Sequence, residues 1–88
     1  MQRLQLNLTG QIQGVGFRPR VYHIAKQLGL TGSVYNSANG VTIEIQGIRH
    51  QEFLTILQQD LPNTAKLETT EKKLLEVHPT EQEFYPRQ

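Results

Sequence analysis

The 88-residue sequence contains no cysteine. That absence excludes disulfide cross-links, a thiolate nucleophile and every zinc site built on cysteine, and it leaves the redox compartment open. Also missing is any run of about 18 apolar residues able to cross a bilayer, and no charged N-terminal segment leads into an apolar one. Neither a membrane partner nor export is therefore expected, and the cytoplasm is the expected compartment. An excess of charge of one sign is lacking too: nine Lys and Arg against eight Asp and Glu leave a formal net charge of +1. So weak a field exerts no general pull on nucleic acid or anionic lipid, and any anion must be held by local geometry. There is no repeat, linker or low-complexity segment. A hydrophobic fraction of 36% and a charged fraction of 19% fit a soluble globular protein. A chain this short buries only about two-thirds of its unfolded surface, and we expect a single domain over residues 1–88.

What is present has clear periodicity. Leu4, Leu6 and Leu8 alternate with Gln5, Asn7 and Thr9, and Ile12 follows, which predicts a half-buried strand over 3–12. Val21, Ile24, Ala25 and Leu28 recur at helical spacing and predict a helix over 19–28, started by Pro19 at its first position and stopped by Gly29. Strands at 31–35 and 41–46 flank "NSANG", where Asn39-Gly40 is the pair favoured by tight hairpins. Phe53, Ile56, Leu57 and Leu61 define a second helix over 50–61, ended by Pro62 and Asn63. The stretch "AKLETTEKKLLEV" fits neither period cleanly. Reading it as a strand completes β-α-β-β-α-β, in which both helices cover one face of the sheet, and "EFYPRQ" then supplies a short edge strand that tolerates Pro86. The expected fold is thus an α+β, ferredoxin-like sandwich with an antiparallel sheet of four to five strands.

Between the first strand and first helix lies "QGVGFRP", residues 13–19. Two glycines leave bare backbone able to turn its N–H groups toward a small anion, with a cation beside them. A dinucleotide fingerprint would need a third glycine where Pro19 stands, and a Walker-type loop would need a lysine followed by serine or threonine; both fail. What remains is a loop before a helix start, where unpaired N–H groups and the positive end of the helix dipole favour an anion of the size of one phosphate. Pro19 biases its predecessor toward extended angles, so Arg18 is expected at the N-cap with its guanidinium aimed back over the loop.

"GQIQGVGFRP" followed by a helix, and "GSVYNSANG" before the next strand, resemble the acylphosphatase family over nearly the whole chain. The resemblance implies a ferredoxin-like sandwich that hydrolyses acyl phosphates. It assigns phosphate binding to Gln13, Gly14, Val15, Gly16, Phe17 and Arg18, with the loop amides from Gly14 to Phe17 doing the holding, and it assigns the catalytic roles to Arg18 and to Asn36, which orients water. Within the family, "GVGFRP" with "VY" two residues on, and "AKQLGLTGSVYN", look like the N-terminal domain of the hydrogenase-maturation carbamoyltransferases, which implies carbamoyl phosphate as a substrate. Arg20 departs from that branch, which carries a bulky apolar residue there, and no zinc-finger cysteines follow "FYPRQ". The implied partners are a small acyl phosphate or carbamoyl phosphate and, if the unit is excised, the rest of a larger carbamoyltransferase chain; a free form is expected to be a monomer. Such chemistry needs positioning and charge stabilisation rather than a covalent nucleophile, so neither a metal nor a cofactor is expected.

Blander readings stand beside these. Glycines precede many ordinary helices, Arg18 alone could sit on a helix cap and Asn36 alone could form a turn. His23, His50 and His78 are read as surface residues, and Asn7-Leu8-Thr9 as a chance glycosylation pattern inside a strand. A non-catalytic ferredoxin-like binding module is the rival, although the expected central strands offer RNA mainly Tyr35 for stacking. A purely structural domain of a larger carbamoyltransferase is the other.

Overall fold

The computed structural model describes residues 1–12, 16–38, 40–61 and 66–86. Gln13, Gly14, Val15 and Asn39 lie outside the described residues, as do Pro62 and Asn63.

Seven elements follow one another: β1 (Gln2–Gln11), α1 (Phe17–Gln27), β2 (Thr31–Ser37), β3 (Gly40–Gly47), α2 (His50–Gln59), β4 (Lys66–Leu75) and β5 (Phe84–Pro86). The strands form one sheet in the order β4-β1-β3-β2-β5. The alternation in β1 acts as expected: Leu6 and Leu8 face the helices in register with Ile43 and Val41, and all four are buried. Val21, Ile24 and Ala25 of α1 and Phe53 and Leu57 of α2 close the same core, with Ile12, Phe17, Val34 and Phe84. The ambiguous stretch is a strand over Lys66–Leu75, antiparallel to β1. It is an edge strand with most residues on both faces exposed, which explains its weak pattern.

Three expectations are corrected. The sheet is mixed rather than antiparallel, because β5 runs parallel to β2, with Gly32 opposite Phe84 and Val34 opposite Pro86. The cause is the path from β4 at one edge to β5 at the other: residues 76–83 cross as a strap instead of turning back on β4. The first helix begins at Phe17, two residues before Pro19. Gly16, at φ 74 and ψ 22, makes the reversal, and its carbonyl accepts from the Arg20 N–H at 3.3 Å. Pro19 is then the third helical residue, where an N–H has no intrahelical acceptor, so the proline is accommodated. Arg18 consequently sits in the helix rather than extended at the cap. Finally, Gly40 opens β3, where a Cβ would stand 1.9 Å from the Leu8 carbonyl oxygen, so close approach of β1 requires its bare backbone. At the other end of α1, Leu30 N–H bonds Ala25 O at 2.9 Å and Gly29 N–H bonds Lys26 O at 3.2 Å, the paired closure expected of Gly29.

Arg3 breaks the simple reading of β1. On the face away from the helices it is 2% exposed. Its Nη1 donates to Glu81 Oε1 at 2.7 Å and its Nη2 to Glu44 Oε1 at 2.9 Å, so the strap is tied to the sheet through it.

Candidate active site

The end of β1, the start of α1, the end of β2 and the start of β3 meet around a recess of about 280 Å³ lined by Ile12, Gly16, Phe17, Arg18, Pro19, Asn36 and Val41. Its floor is apolar and fixed, since Ile12, Phe17 and Val41 are each buried in the core. The polar groups stand at the rim. Asn36 is placed by the β2–β3 register, opposite Val41, and is exposed. Arg18 is half-buried on the first turn of α1. Among the sequence-predicted site residues, the structure therefore brings together Gly16, Phe17, Arg18 and Asn36; Gln13, Gly14 and Val15 lie outside the described residues.

The electrostatics of the recess come from two sources. Among the described residues no side chain caps α1, and its first turn has no acidic residue, so none of them compensates the positive end of the helix. The N–H groups of Phe17 and Arg18 belong to the first turn, whose donors have no intrahelical acceptor. The Arg18 side chain makes no hydrogen bond or ion pair to another described residue, whereas that of Arg20, two residues on, is committed to Asp60 at the α2 end at 2.8 Å. The arrangement can hold a small anion with helix N–H groups and a planar guanidinium, beside a neutral amide able to orient a water.

The histidines stay apart: His23 is exposed on α1, His50 Nδ1 lies 3.0 Å from Gly47 O, and His78 is in the strap. Among the described residues no group of three or more His, Cys, Asp or Glu could hold a metal ion. Pro19, Ile12 and Val41 also line the recess, although the sequence does not mark them as site residues. The apolar periodicity of Ile12 and Val41 marks them as core, and only the meeting of four element ends makes core residues also walls.

The fold is a ferredoxin-like sandwich with a recess where β1, α1, β2 and β3 meet. The acylphosphatase family model matches residues 4–86, and the chain belongs to the acylphosphatase family. It is 38% identical over 69 residues to the carbamoyltransferase HypF of Rhizobium leguminosarum bv. viciae, a match covering 78% of this chain and 9% of that protein. It is 41% identical over 54 residues to the acylphosphatase of Enterococcus faecalis, covering 61% of this chain and 58% of that one. Among solved structures, full-length HypF in the phosphate- and nucleotide-bound form superposes with a TM-score of 0.91 at 31% identity, over 99% of this chain and 12% of that one. The acylphosphatase from Bacillus subtilis superposes with a TM-score of 0.88 at 25% identity, over the whole of both chains. The chain thus spans about a tenth of the HypF relatives it matches.

Proposed function

We propose that the chain hydrolyses small acyl phosphates, carbamoyl phosphate among them, at the recess beneath α1. The observation that carries this reading is that Arg18, whose side chain has no partner among the described residues, lines the same recess as Asn36 at the start of α1. The loop amides from Gly14 to Phe17, Gln13 beside them, and Arg18 hold the phosphoryl oxygens and stabilise charge on them as the reaction proceeds. Asn36 accepts a hydrogen bond from the attacking water and aims it at phosphorus. A new P–O bond forms to that water while the bond from phosphorus to the acyl oxygen breaks. The carboxylate or carbamate leaves with the electron pair, and the water's proton passes to a phosphate oxygen. The leaving group is good, so positioning and charge stabilisation supply the catalysis and no metal enters.

Within this reading the unit works as the N-terminal part of a carbamoyltransferase of the HypF kind, on carbamoyl phosphate. Support comes from the near-complete coverage of this chain by HypF structures that are themselves much longer. A stand-alone acylphosphatase, folded over residues 1–88 as a single monomeric domain, is the second reading, supported by the end-to-end match with the Bacillus subtilis enzyme. Phosphate release from acetyl phosphate and carbamoyl phosphate is the test. Hydrolysis of both supports the reading, and a folded chain that releases phosphate from neither overturns it in favour of a binding module.

A further inference from the structure

The strap has few points of attachment. From Glu76 to Glu83 every residue is exposed except Glu81, which is half-buried, and the first residue beyond them to enter the core is Phe84. Among the described residues the side chains of Arg3, Gln46 and Thr31 hold it to the sheet, Thr31 through a hydrogen bond to Glu81. Arg3 grips Glu81 with both terminal nitrogens, Nη1 to Oε1 at 2.7 Å and Nη2 to Oε2 at 3.3 Å. Gln46 of β3 grips the backbone of His78 in both directions: its Nε2 donates to the carbonyl at 2.9 Å and its Oε1 accepts from the N–H at 2.8 Å. Past these contacts the Gly32 N–H bonds Glu83 O at 3.1 Å and begins the short pairing of β2 with β5.

We propose that residues 76–86 open as one unit hinged at the end of β4, latched shut by the Arg3–Glu81 and Gln46–His78 contacts. The charges favour opening of this unit alone over unfolding of the whole. When the strap leaves, Arg3 is not stranded, because its Nε and Nη2 still donate to Glu44 Oε1 at 3.1 and 2.9 Å and its Nη1 to Gln46 Oε1 at 3.2 Å, while Glu81 passes to water with His78 beside it. The one strap residue in the buried core is Phe84, which also makes an edge contact with Tyr22. A segment held by few buried contacts and exposed hydrogen bonds belongs to the low-stability end of a fold. Opening uncovers the outer edge of β2 from Gly32 to Val34, on the strand that carries Asn36. The inference does not depend on the hydrolytic reading.

Native-state amide exchange tests it. The Gly32 and His78 amides report on the two ends of the strap, and the Leu6 and Leu8 amides on the central sheet. In the parent protein the first pair exchanges faster than the second. Glu81→Gln, which removes a charge-assisted latch, accelerates Gly32 and His78 by one common factor, roughly tenfold. Ile43→Val, a mild core substitution whose contacts persist when only the strap opens, accelerates Leu6 and Leu8 several-fold and leaves Gly32 and His78 unchanged. If Ile43→Val accelerates all four amides alike, the strap opens only with the whole fold and the proposal fails. It fails equally if Glu81→Gln moves Gly32 and His78 by different factors.

Discussion

Arg20 Nη1 lies 2.8 Å from Asp60 Oδ2, so the arginine next but one to Arg18 joins the start of α1 to the end of α2. The two arginines therefore carry different duties despite their proximity in sequence: one is spent on helix packing, and the other has no described partner and lines the recess.

That division predicts opposite outcomes for two alanine substitutions. Arg18→Ala loses inorganic phosphate binding and acetyl phosphate turnover together, turnover by about a hundredfold or more, because a permanent charge matched to phosphoryl oxygens acts in both ground and transition states. Arg20→Ala keeps phosphate affinity, and since its ion pair is partly exposed it costs about 1 kcal/mol of stability. Calorimetric titration with phosphate and steady-state kinetics on both variants check the pair. Equal losses from both would show that the site is not centred on Arg18.

Asn36 is neutral and is assigned to water. Asn36→Ala should bind phosphate almost as the parent does while turnover falls by about a hundredfold, the scale of losing one preorganised polar contact. Turnover at the parent rate would remove Asn36 from the mechanism.

Gly16 has open space around the position of a Cβ, yet its φ of 74 is one that side chains resist. Gly16→Val should destabilise the fold by about 1–2 kcal/mol through backbone strain rather than collision, and Gly16→Asn, which tolerates that region, by clearly less. Urea unfolding orders the two. Equal stability for both would show that the helix start does not depend on this conformation.

Chelators are predicted to leave the hydrolysis of acetyl phosphate unchanged, since the recess supplies its positive charge from Arg18 and the helix start. Loss of activity in EDTA, restored by a divalent ion, would contradict a metal-free reaction.

The strap makes stability depend on acid. Burial pushes the Glu81 carboxyl up, but hydrogen bonds from Arg3 and Thr31 and the charges of Arg3 and His78 together outweigh it and hold the group below 4.5. A carboxyl lowered by folding contributes stability that is fully present above its unfolded value and is lost as pH falls through its folded one. Thermal unfolding should thus be flat for this group near neutral pH and decline below about pH 4.5, and Glu81→Gln should show a shallower decline there. An identical acid limb in the variant would place the acid sensitivity elsewhere.

How far the chain could be read in advance depended on whether a feature is local. The leucines of β1, the helical spacing of Val21, Ile24 and Ala25, and the Gly29 stop are set by neighbours a few residues away, so element order and the helix-covered face follow from periodicity. The glycine-rich run before a helix marks Arg18 as a candidate before any geometry is known, and the resemblance to the acylphosphatase family adds Asn36. What the tertiary structure alone decided are matters of register and direction. Pairing of β1 with β3 sets Arg3 beside Glu44, and the strap brings Glu81 from far along the chain, so an arginine that alternation assigns to solvent becomes a buried tie. The parallel seat of β5 depends on where the strap lands, and no local preference encodes that. Pro19 favours an extended predecessor, yet Gly16 reverses the chain first and the Arg20 bond to its carbonyl closes the turn, so Arg18 enters the helix: a weak local bias gives way to a hydrogen bond made only once the turn has formed.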